Sequence, residues 1–131
     1  RHGATEREGR RLMSVKTQIY SALKSLVGNR VYRDITPPTV TTLPRITFQQ
    51  VGGEAINFLE GGRPSKKRAR VQINCWSTRR DDVMALARQV EDTMRTASAL
   101  QATVLGAATA IYEDDTKLYG AMQDFSVAYD D

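Results

Sequence analysis

Histidine and cysteine are almost missing from this chain, which has His2 and Cys75 as its single examples among 131 residues. A histidine-assisted nucleophile is therefore not expected, because His2 lies in a polar stretch at the very start. One thiol cannot close an internal disulfide, and no second thiolate or nearby histidine completes a metal site. Cys75 is expected to be a buried apolar thiol. No window approaches the roughly 18 apolar residues that a membrane helix needs, so membrane insertion is not expected. A charged-then-apolar leader is also missing, which points to an intracellular context. The glycine pairs Gly52-Gly53 and Gly61-Gly62 fit neither the dinucleotide fingerprint nor the P-loop. The acid runs Asp81-Asp82, Glu113-Asp114-Asp115 and Asp130-Asp131 could in principle hold Mg²⁺ or work as acid and base. Their positions at a helix start, a turn and a terminus read instead as solvated charge. No catalytic, cofactor-binding or metal-ligating residue is expected, and an enzyme built on the carboxylates ranks third among the functional readings.

What is present suits one α+β domain. Residues 1–12 carry no periodicity and read as a disordered or vector-derived leader, with Met13-Ser14 opening a single domain over 13–131. Ser14 can cap a helix over 14–27, in which Val15, Ile19, Ala22, Leu23 and Leu26 share a stripe and Gly28-Asn29 supplies the stop. Val31 and Ile35 alternate as a short strand ahead of Pro37-Pro38. Residues 43–51 alternate Ile46 and Phe48 against Thr47 and Gln49, and 68–76 place Val71, Ile73 and Cys75 on one face. Thr78 and Asp81 suggest a capping box ahead of a second helix carrying Val83, Leu86, Ala87, Val90 and Met94. Residues 96–106 read as weakly structured, and two strands close the chain, the second with Phe125, Val127 and Tyr129 on one face. The expected architecture is a mostly antiparallel sheet with two helices packed on one face. Residues 52–67 form a long, mobile hairpin arm, because connections longer than about 12 to 15 residues are usually functional or disordered.

The net charge of +4 hides a strong asymmetry. Residues 63–80 contain Arg63, Lys66, Lys67, Arg68, Arg70, Arg79 and Arg80 with no acid, whereas 113–131 hold six acids against Lys117. Such a distribution suits a polyanion at one patch, and it equally suits copies of the chain docking through complementary fields. The bland reading of the cations is a solvated strand flank that discourages edge aggregation. Ile56, Phe58 and Leu59 on the arm are bulkier than a solvated loop requires and mark a contact site. The candidate interface residues are Ile56, Phe58, Leu59, Arg63, Lys66, Lys67, Arg68, Arg70, Glu113, Asp114 and Asp115. The competing reading is a small basic nucleic-acid-binding protein that uses Lys66, Lys67, Arg68, Arg70, Arg79 and Arg80 on phosphates, with Trp76 and Tyr32 available to stack on bases.

Three phrases, "VYRDITPP…LPRITFQQVGG", "RVQINCWSTRRDDVMALARQVEDTM" and "YEDDTKLYGAMQDFSVAY", resemble the tail-completion or tail-terminator proteins of long-tailed bacteriophages and prophages. The similarity runs from Val15 to Tyr129. It implies a small α+β virion subunit with no enzymatic activity and no cofactor. Copies would form a ring, typically of six, at the tail-neck junction after assembly in the host cytoplasm. Such a ring caps the tail tube, ends tail growth and joins the head-neck connector or stopper protein, with passing contact to DNA in the channel and none to a membrane.

Overall fold

The structure is a computed structural model that describes residues 15–55 and 66–130. Helix α1, Val15–Leu23, buries Val15, Ile19 and Leu23 at four-residue spacing, which is one helical stripe. It tightens into a single 3₁₀ turn over Lys24–Leu26, so the α-helical part stops short of residue 27. Gly28 and Asn29 hold positive φ of 55° and 69°, and the Asn29 amide donates to the Lys24 carbonyl at 2.8 Å. This is the anticipated left-handed stop. Ser14 and the leader lie outside the described residues.

Strand β1, Val31–Arg33, pairs in parallel with β2, Arg45–Ala55, matching Val31 to Ile46. It does not extend to Ile35 as the alternation suggested. Asp34 turns the chain at φ 69° and its amide donates to the Phe48 carbonyl at 2.7 Å, which leaves Ile35 74% exposed. Strand β3, Lys66–Ser77, runs antiparallel to both β2 and β6, Leu118–Asp130. Two short strands, β4 (Thr103–Val104) and β5 (Thr109–Glu113), share the other edge of β6. The sheet is thus mostly antiparallel, in the order β1-β2-β3-β6 with β4 and β5 outermost.

The strands run further than the glycine pairs implied. β2 continues through a bulge between Gln50 and Gly52, and the register then sets Gly52 against Arg70, Glu54 against Arg68 and Ala55 against Lys67. Gly52 takes φ 131°, a conformation that L side chains rarely adopt, so glycine at this point lets the strand bend without ending. The connection between the strands narrows from 52–67 to 56–65. Ile56, Phe58, Leu59 and Arg63 lie outside the described residues.

Period-two alternation assigns the two faces. Ile46, Phe48, Ala69, Val71, Ile73, Cys75, Ala121, Phe125 and Val127 are buried beneath the helices. They form one core with Val83, Leu86, Ala87, Val90 and Met94 of helix α2, Arg80–Thr96, and with the stripe of α1. The sequence assignment of this core holds, and both helices lie on the same face. The capping box does not hold. β3 stays paired through Ser77, opposite Tyr119, so the chain turns only at Arg79, the N-cap, which offers no side-chain cap. Asp81 and Asp82 still occupy the first turn, where the helix dipole favours anions.

Cys75 is 2% exposed, and burial pushes its thiol pKa up to about 12. The neutral thiol is the form that the fold favours, so its stabilising contribution is complete below the ordinary value of 9.0 and is lost as pH rises toward 12. At pH 8 an aromatic disulfide reagent is expected to label Cys75 at the rate of unfolding and not at the rate of a free thiol. Labelling within seconds in native buffer would show that the β3 core face is open.

Candidate assembly surface

The face of the sheet away from the helices is mostly polar, and no helix among the described residues covers it. Across β2, β3 and β6 it presents Thr47, Asn74 and Met122, then Gln49, Gln72 and Asp124, with Arg68 and Arg70 further along β3. Gln49 donates to Gln72 at 3.3 Å, extending one cross-strand ladder. Trp76 lies on this face, as alternation required. Its indole N–H donates to Thr47 Oγ1 at 3.0 Å, and its ring crosses Gly120 so closely that a Cβ there would stand 2.8 Å from it. Trp76 therefore covers the sheet, and glycine at 120 provides the room.

The basic stretch divides once it is folded. Arg70 binds Asp124 of the same chain, with Nη2 at 2.6 Å and Nε at 2.8 Å from one carboxylate oxygen. Arg68 donates to the Ser126 hydroxyl at 2.6 Å and the Ser126 carbonyl at 2.8 Å, and also reaches Gln101 O and Thr103 Oγ1. Arg80 donates to the carbonyls of Ile111 at 3.2 Å and Gly120 at 3.0 Å, with its guanidinium 4.9 Å from the Tyr119 ring centroid. Three cations offered by the sequence for an outside partner are thus engaged within their own chain. Register also sets Glu54 against Arg68 and Asp130 against Lys66. Asp124 offsets the charge of Arg70 within the chain. No short-range signal in the sequence revealed the partners of these three arginines, because each partner lies more than thirty residues along the chain.

Glu113, Asp114 and Asp115 come together at the tip of the β5–β6 hairpin. Thr116 donates to Glu113 at 2.6 Å, and Lys117 stands 3.7 Å from Asp114, an exposed pair of little energetic weight. The tip and the Lys66–Arg70 segment occupy opposite ends of the sheet. The thirteen residues of β6 separate them by about 40 Å at strand spacing.

One polar site crosses the core and was not visible in the sequence. Gln123, 5% exposed, points from β6 among the apolar side chains and donates to Glu91 Oε1 and to the Gly106 carbonyl, both at 2.7 Å. This amide hydrogen bond, with help from Arg95, holds the Glu91 carboxyl below its ordinary pKa against a partial desolvation. It ties α2 to the loop between β4 and β5. Among the described residues no cluster of histidine, cysteine or acids could hold a metal ion, and no helix is long and apolar enough to cross a membrane.

These features define a small α+β domain with a polar sheet face and an acidic hairpin tip. Its residues 18–130 match the family described as Tail completion protein gp17, and the chain belongs to that family, as a structural protein of phage tails. The fold recurs in a chain of the virion of a native gene transfer agent (GTA) particle. That chain is 15% identical and superimposes with a TM-score of 0.61 over 90% of this chain and 96% of its own length. No curated protein matches the sequence.

Proposed function

We propose that copies of this subunit join head to tail in a ring, of six, that caps the tail tube, ends its growth and forms the joint to the head-neck connector. The observation that carries this reading is the separation of charge. The acidic tip stands at one end of the sheet and the segment carrying Lys66 and Lys67 pairs at the other, too far apart to meet within one chain, so that in this reading they meet between two copies. A contact between unlike patches closes into a ring when the rotation per subunit permits. The ring would stand at the tail-neck junction of the virion, after assembly in the host cytoplasm, with DNA passing through its channel. The gene transfer agent chain of the same fold also belongs to a virion particle.

Native mass measurement of the purified chain, alone and mixed with tail tubes, tests the proposal. A closed multiple bound at one tube end is expected, and a chain that stays monomeric and leaves the tube end bare would sink it. The nucleic-acid reading gains no support from the fold, since Arg68, Arg70 and Arg80 already have protein partners.

The apolar residues of the 56–65 connection have a place in this scheme as anchors on the neighbouring subunit or the tube. Changing Ile56, Phe58 and Leu59 together to Ser is expected to leave the melting curve of the monomer unchanged and to weaken ring formation or tube capping. If both stay unchanged, the arm is a spectator. Loss of the fold would place the three side chains in the core.

A further inference from the structure

The geometry points to Arg80 as a positioning residue that latches the β5–β6 hairpin to the start of α2 and so sets the direction of its acidic tip. Arg80 is the first residue of α2, where the helix dipole disfavours a cation. Its guanidinium nevertheless donates to two carbonyls, Ile111 O and Gly120 O, which sit directly opposite each other in the β5–β6 register. It also lies over the Tyr119 ring, and Tyr119 packs on Tyr112, the next pair toward the tip, with ring centroids 5.0 Å apart. One side chain therefore contacts both strands of the hairpin within three register positions of Glu113.

The hairpin has little else to hold it. Among the described residues β5 pairs with β6 alone and its far edge carries no strand, and four of its five residues are exposed. A short outer strand of this kind opens locally at low cost unless something anchors it. Arginine suits the role, because its planar fork can hydrogen-bond and stack on an aromatic ring together, whereas lysine offers a single point charge. The effect on docking rests on the head-to-tail reading above, while the latch itself does not.

Hydrogen exchange of the full-length chain tests the latch. In Arg80→Met, amides of residues 111–119 are expected to exchange about tenfold faster relative to those of residues 86–94 in the same molecule. Arg80→Lys is expected to restore little of that protection. Equal acceleration in both segments, no acceleration at 111–119, or native protection in Arg80→Lys would each overturn the latch. The link to docking is read from a double-mutant cycle with Glu113, Asp114 and Asp115 changed to Asn. Non-additive losses of assembly are expected if Arg80 acts through the tip, and additive losses overturn that link. Should the tip substitutions leave assembly intact, the head-to-tail reading fails while the exchange result still decides the latch.

Discussion

Leu86→Ala is expected to lower the unfolding free energy by about 2 to 5 kcal/mol, the range for removing a large aliphatic group from a packed core. Leu86 is 5% exposed in the middle of α2, on the stripe with Val83, Val90 and Met94 that lies against β3 and β6. Two contributions add: the lost transfer of the removed carbons out of water, and the cavity left because a sheet and a helix cannot both relax inward. Domains of this size hold about 5 to 15 kcal/mol in total, so one such change removes a large fraction of the stability. The melting midpoint should fall by roughly 8 °C or more. Chemical denaturation with the slope unchanged provides the check, and a loss under about half a kcal/mol would mean that the stripe does not carry the fold.

Reversing Lys66 and Lys67 to Glu is expected to weaken assembly by about tenfold or more per contact, and reversing Glu113, Asp114 and Asp115 to Lys in the same chain is expected to recover part of it. The fold dictates which cations to choose. Arg68 and Arg70 hold Ser126 and Asp124 of their own subunit, so changing either would damage the sheet and confuse the result. Exposed pairs contribute only about 0.2 to 1 kcal/mol each, but every contact around a closed ring carries the change. The rescue should fade near 1 M salt, where the screening length falls from about 8 Å under physiological conditions to about 3 Å. If the reversal leaves assembly intact and abolishes salt-sensitive DNA binding, the basic end is a phosphate site.

The difference between the two chosen lysines and the two excluded arginines shows where sequence reading stops. Counting charges along 63–80 gives seven cations and no acid. It cannot show that Asp124, fifty-four residues after Arg70, lies 2.6 Å from it. The same limit hid Gln123. Its neighbours Ala121, Phe125 and Val127 mark the buried face, yet a polar residue on that face becomes intelligible only when Glu91 and the Gly106 carbonyl arrive to bind it.

Periodicity by itself determined both helices, the long strands, the buried faces and the α+β class, but not β4 within the stretch 96–106, because a 3.6-residue or two-residue repeat expresses the local geometry of the chain and needs no partner to be read. Ile19 and Leu23, Val71 to Cys75, and Val83 to Met94 all fell on the faces that their spacing assigned. Boundaries that depend on a partner strand came only with the tertiary structure. β2 and β3 run on to Ala55 and from Lys66 because they hydrogen-bond to each other, β1 ends early because Asp34 turns onto Phe48, and α2 begins late because Ser77 is still paired. The electrostatics were decided there too: pairing depends on distance through space, and strand register brings together charges that the sequence holds far apart.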